Sequence, residues 1–128
     1  MTYAVPPFQH SIDADPPTGI VIKTQSRELG LSYSDGAYDL SFEFLRVYSP
    51  SAEVVGHGPG QEVLQTGKKA VGIRSLEPVG LYAVKPLFDD GHESGIYSWS
   101  YLRWLCEHRD ALWEDYLSRL DAAGASRE

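Results

Sequence analysis

Four histidines, one cysteine and eighteen Asp and Glu side chains are the groups in this 128-residue chain with obvious chemical potential. A metal centre needs three or four donors to converge. None of His10, His57, His92 and His108 has a neighbour at His-x-His or His-Glu-x-x-His spacing, so no metal motif is present and His92 is at most a weak metal candidate. An iron-binding facial triad is not expected either. Cys106 falls on an apolar helical stripe, where a thiol is ordinarily a small buried hydrophobe rather than a nucleophile. Asp90 and His92 flank Gly91. A carboxylate there can orient an imidazole, but around a turn the ordinary role of both is to hold the turn through local hydrogen bonds.

The elements that must position these groups follow from periodicity. Ile20 and Ile22, then Leu29, Leu31 and Tyr33, alternate with small or polar residues and predict two strands joined near Gln25 to Arg27. Asp35-Gly36 predicts a two-residue hairpin turn into a third strand around Tyr38 to Leu40. Ser41 is placed to cap a short helix over Phe42 to Tyr48, ended near Ser49-Pro50. Gly56, Gly58 and Gly60 punctuate an irregular loop without phosphate-loop or dinucleotide spacing. A short strand is expected over Gln61 to Leu64 and another over Val71 to Leu76, ended by Glu77-Pro78. Val79 to Phe88 then reads as the longest strand, Asp89-Asp90-Gly91 as a turn, and Ile96 to Ser98 as the return. Tyr82, Tyr97, Trp99, Tyr101 and Trp104 lie in or just beyond this segment, which is expected to be the centre of the core. Ser98 or Ser100 caps a helical tail whose apolar residues recur from Leu102 to Leu120 at three- and four-residue intervals, in one helix or two. The fold class is α+β: a small antiparallel β-sheet domain with a short internal helix and a C-terminal helical segment. Residues 1–18, with four prolines, form a flexible or draped arm, 19–121 a single domain and 122–128 a fraying tail.

A net charge of −7 excludes general binding to nucleic acid or anionic membranes, because neither polyanion finds a cationic footprint. A single cysteine fits a reducing compartment, and the N-terminus lacks a signal-like apolar run, so the expected location is cytoplasmic.

Four ordered blocks carry a resemblance: LRVYSPSAE from Leu45, GHGPGQ from Gly56, EPVGLYA from Glu77 and FDDGHESGIYSW from Phe88. Over roughly residues 18 to 106, they resemble the stand-alone bacterial form of the gamma-butyrobetaine hydroxylase-like N-terminal domain. The resemblance implies a small α+β domain. In metal-bearing relatives it implies a zinc held by Cys-x-Cys-x-x-Cys and a distant His; the matching positions here are Ser49, Ser51, Val54 and His92. Only the histidine is a zinc ligand, so this is a vestigial site with no expected metal or other cofactor. The iron and 2-oxoglutarate of the full-length hydroxylases belong to a larger C-terminal domain, so no enzyme is expected. The functional expectation is a non-enzymatic accessory or protein-interaction module, linked through the family to iron-sulfur protein maturation. Its partner is a second copy or another bacterial protein, and His57, Gly58, Gly60 and Asp90 form a candidate interaction loop. The alternative is a small-ligand or metal-binding protein using the Asp90/His92 turn.

Overall fold

The computed structural model describes residues 5–9, 14–57 and 60–128. Among these, two three-stranded antiparallel sheets and four helices make an α+β fold. The first sheet is a meander of β1 (Gly19–Lys23), β2 (Glu28–Tyr33) and β3 (Gly36–Ser41), in which Leu29 pairs with Leu40 and Leu31 with Tyr38. Alternation sends Leu29, Leu31 and Leu40 into the core. The tight turn is Ser34-Asp35, one residue before the expected Asp35-Gly36, because Tyr33 already pairs with Gly36. Arg103 fixes that turn from outside, with both Nη atoms on the Asp35 carboxylate at 3.0 and 2.7 Å and its guanidinium 4.7 Å from the Tyr33 ring centroid.

Helix α1 (Phe42–Val47) begins where Ser41 Oγ accepts the Phe44 amide at 3.0 Å. Every residue of α1 is buried, including the charged Glu43 and Arg46, so its ion pairs are internal structure. The chain turns at Ser49-Pro50-Ser51 into the four-residue α2 (Ala52–Val55).

The second sheet corrects the sequence reading at three places. Residues 61–64 form no strand; that segment is irregular apart from one backbone bond from Val63 to the Val54 carbonyl. Pro78 does not end β4 (Ile73–Val79) but pairs with Val84 inside the ladder. The run from Val79 to Phe88 is not one strand: Gly80, at φ 55°, turns the chain so that β4 pairs back on β5 (Ala83–Phe88), leaving Leu81 and Tyr82 at the hairpin tip in solvent. Tyr82 is therefore absent from the core it was expected to fill. Pro86 is tolerated in β5 because the two-residue β6 (Tyr97–Ser98) reaches only Ala83 and Val84, so no neighbour needs its missing amide hydrogen.

Ser98 caps α3 (Trp99–Glu107), accepting the Tyr101 amide at 3.1 Å, and α4 (Arg109–Ala122) follows after a break at His108. Leu102, Leu105, Cys106 and Leu112 close the core over Phe42, Phe44 and Leu45. Cutting one such buried leucine to alanine costs about 2–5 kcal/mol. Tyr97 and Tyr101 also supply polar bonds: their hydroxyls donate to the carbonyls of Leu45 and, at 2.6 Å, Tyr48. No helix among the described residues is long and apolar enough to cross a membrane.

Both chain ends are tied down where they are described. Residues 5–9 drape on α3: the Pro6 carbonyl accepts the Trp104 indole N–H at 3.0 Å and Phe8 packs edge-on against Tyr101. His10 lies outside the described residues. Residues 122–128 make specific contacts as well. The amides of Gly67 and Lys69 donate to the carbonyls of Ser126 and Arg127 at 3.0 and 2.9 Å, and the Arg127 side chain reaches Glu43.

Candidate functional site

Two loops meet at His92. One follows α1, carries Ser49 and Ser51 and leads into α2 with Glu53; the other leaves β5 through a turn at positive φ on Gly91, where Phe88 N–H donates to the His92 carbonyl. His92 is buried, with Nε2 2.8 Å from Ser49 Oγ and Nδ1 3.0 Å from Glu53 Oε2. A carboxylate at Nδ1 selects the tautomer protonated there. Nε2 is then an acceptor, and the Ser49 hydroxyl donates to it. Ser49 Oγ also accepts the Ser51 amide at 3.3 Å, and Ser51 Oγ lies 2.7 Å from Ser94 Oγ. The packing has no slack: a Cβ on Gly95 would sit 2.4 Å from Ser49 Oγ, so only glycine lets the 93–96 loop pass over that oxygen.

Asp90 stabilises the turn from its other side. Its Oδ2 accepts from Arg46 Nε at 2.9 Å and Lys68 Nζ at 2.7 Å, and its Oδ1 from the His92 amide at 3.2 Å. Partial burial alone would raise its pKa, but these hydrogen bonds and the Arg46 charge outweigh it and hold the carboxyl down at about 2. His92 moves below its ordinary value, first because burial penalises the cation and then because Arg46 is near; Glu53 and Asp90 oppose this only in part. The imidazole is thus neutral near pH 7.

The structure thus joins Ser49 and His92 directly, ties Ser51 to the same loop, and buries Val54, whose backbone carbonyl is taken by Val63. Two hydroxyls and an isopropyl group offer none of the three thiolates of a zinc module, so the donor set does not fit that ion. Among the described residues, no group of three or more His, Cys, Asp and Glu is placed to hold a metal. The carboxylate on His92 Nδ1 is nevertheless the arrangement that orients metal-ligating imidazoles, here aiming Nε2 at a hydroxyl.

Sequence reasoning missed Glu53, which completes a Ser49–His92–Glu53 chain with the connectivity of a hydrolytic triad. A nucleophile must also meet substrate. Ser49 is 0% exposed and Gly95 closes over its oxygen, while Glu53, the orienting acid, is the member in solvent at 69% side-chain exposure, the reverse of a working triad. Sequence reasoning also passed over one His-x-Asp spacing, His108 and Asp110, whose carboxylate pairs with Arg109 at 3.0 Å. Cys106 is buried and its thiol pushed up to about 12, chiefly by burial, which keeps it unreactive near pH 7. In the expected interaction loop, His57 and Gly60 are exposed, Gly58 lies outside the described residues, and Asp90 is committed to its ion pairs.

Comparison with solved structures returns the same architecture. One protein solved in solution by NMR is 52% identical with TM-score 0.79, covering 94% of this chain and 90% of its own. A second NMR structure is 51% identical with TM-score 0.78, over 88% and 90%. A crystal structure of a protein of unknown function from Acidithiobacillus ferrooxidans, placed in the DUF971 family, is 40% identical with TM-score 0.58, over 72% of this chain and 97% of that one. No curated protein matches. The family model described as gamma-butyrobetaine hydroxylase-like, N-terminal, matches residues 20–103, which span both sheets, the Ser49–His92 contact and most of α3. The chain belongs to the gamma-butyrobetaine hydroxylase-like N-terminal domain family.

Proposed function

We propose that this protein is a non-enzymatic accessory module that acts through protein contact. The observation that carries the reading is the β4–β5 hairpin tip. Leu81 is 97% exposed and Tyr82 beside it is largely exposed, yet the backbone beneath them is held: Trp99 donates its indole N–H to the Leu81 carbonyl at 2.8 Å and its amide to the Tyr82 carbonyl at 3.0 Å. A rigidly presented Leu-Tyr pair loses little entropy on docking and gains by burial, about 1.5–3 kcal/mol for each large apolar side chain. The closure of Ser49 supports the non-enzymatic half of the reading. The family link to iron-sulfur protein maturation would place the partner among cluster-handling proteins. This chain would contribute contact rather than ligation, since one buried cysteine cannot hold a cluster.

Sedimentation across a concentration series tests a second copy as partner, and a photocrosslinking residue at position 81 tests another protein. Association or adduct formation that Leu81→Asp abolishes supports the reading. A chain that stays monomeric throughout and gives no adduct from position 81 overturns it.

A further inference from the structure

The second buried charge of α1, Glu43, is held by the segment that follows α4. Glu43 is 6% exposed, and its two oxygens accept Nη2 and Nε of Arg127 at 2.7 and 2.9 Å, a bidentate fork. The same guanidinium lies 5.2 Å from the ring centroid of Trp113. A planar cation gripped in plane by a carboxylate and covered by an indole is the geometry that recognises arginine and discriminates against lysine. The slot opens into a cleft of about 350 Å³ whose other walls include Glu28, Asp39 and Asp110; Asp39 is paired with Lys23 and Asp110 with Arg109, so Glu28 is the wall carboxylate that favours a further cation. Arg109, the other cation there, is already engaged by Asp110 and by the Asp39 carbonyl.

Apart from the Glu43 fork, the segment that fills the slot has few attachments. After α4 ends, Gly124 at φ 63° reverses the chain. Ala125 is still anchored to α4, its amide bonded to the Leu120 carbonyl at 2.9 Å and its side chain packed beside Leu120 and Tyr116; beyond it the last residues are held by the two backbone bonds from Gly67 and Lys69 and by a Lys69–Glu128 ion pair between exposed side chains, which contributes little. Segments of this kind open at low free-energy cost.

We propose that Glu43 and Trp113 form a binding site for an arginine side chain presented on an extended peptide segment of a partner protein, with Arg127 as its built-in occupant. The partner segment displaces residues 126–128 and takes the two backbone bonds from Gly67 and Lys69. The tail competes as an intramolecular ligand at an effective concentration on the order of millimolar, so it masks the slot against weak cationic peptides and yields to a partner with contacts elsewhere. The site shares no residue with the hairpin tip, so either proposal can fail alone.

The test is titration of the full chain with a synthetic peptide of its own residues 121–128, DAAGASRE, by calorimetry. Arg127→Ala is expected to bind the peptide at least roughly tenfold more tightly than the wild-type chain does, because the competitor is gone. Replacing the peptide's arginine by lysine, or adding Glu43→Gln to the variant, is expected to cost roughly tenfold or more. Folded Arg127→Ala that binds the peptide no better than wild type, or binds the lysine peptide equally well, overturns the proposal. If Arg127→Ala does not fold, Arg127→Lys keeps the charge but loses the fork. Tighter peptide binding than by wild type then supports the proposal, and equal binding overturns it.

Discussion

Helix α1 buries two opposite charges and settles them in different ways. Arg46 pairs with Asp90 in the turn after β5, with Gln65 and Lys68 completing the group, and Arg46 and Asp90 both lie within the span that the family model matches. Glu43 pairs with Arg127, which lies outside that span. The first pair joins α1 to the loop that carries His92. The second joins it to the segment after α4. A buried ion pair costs desolvation and repays it only when both partners are well held, so removing one partner measures how firmly the other is committed.

The largest effect is expected at the first pair. Asp90→Ala should cost about 3 kcal/mol in denaturant unfolding near pH 7, because Arg46 is left buried beside His92. Asp90 has its pKa lowered from 3.8 to about 2, so its stabilisation is fully present above pH 3.8 and is lost as the pH falls through 2. The penalty of the substitution should therefore shrink toward zero in that window. Gly95→Ala comes next, at about 2 kcal/mol, since its methyl group needs the space of Ser49 Oγ. A loss within a few tenths of zero would show that the 93–96 loop moves freely and that Ser49 is not closed in.

Arg127→Ala should cost less than Asp90→Ala, about 1–2 kcal/mol, because Arg127 is partly solvated and water can reach Glu43 once the tail leaves. Equal losses at the two pairs would mean that the tail is as much a part of the core as the turn. The smallest effect is the pH dependence of His92. Its folded pKa lies below 6.5, so the unfolded chain binds the proton first; stability is full above pH 6.5 and falls as the pH drops below it, levelling off under the folded pKa. His92→Gln should flatten that slope in urea midpoints taken across the range.

Legibility in the sequence follows the same division. The meander and the Ser41 and Ser98 caps were readable because alternation and capping are local signals. The β4–β5 hairpin was not, because its turn is built from Gly80, Leu81 and Tyr82, and apolar turn residues extend an apolar run without a break in composition. The correspondence of Ser49, Ser51, Val54 and His92 came from resemblance rather than from periodicity. Glu53 had no sequence signal beyond its place three residues before a Gly-rich loop. Arg127 had still less, since it meets Glu43 across 84 positions and sits in a stretch whose small polar composition reads as an unstructured end.

Ser49, Ser51 and His92 form a hydrogen-bonded junction, and the family resemblance proposes that three thiolates at positions 49, 51 and 54 would turn it into a zinc site. Elemental analysis of the purified chain beside Ser49→Cys/Ser51→Cys/Val54→Cys, both without an affinity tag and after zinc exposure, measures this directly. The account predicts well under one zinc per wild-type chain and one per triple variant, lost again when His92→Ala is added. Stoichiometric zinc in the wild-type chain, or a folded triple variant that takes up none, would contradict it.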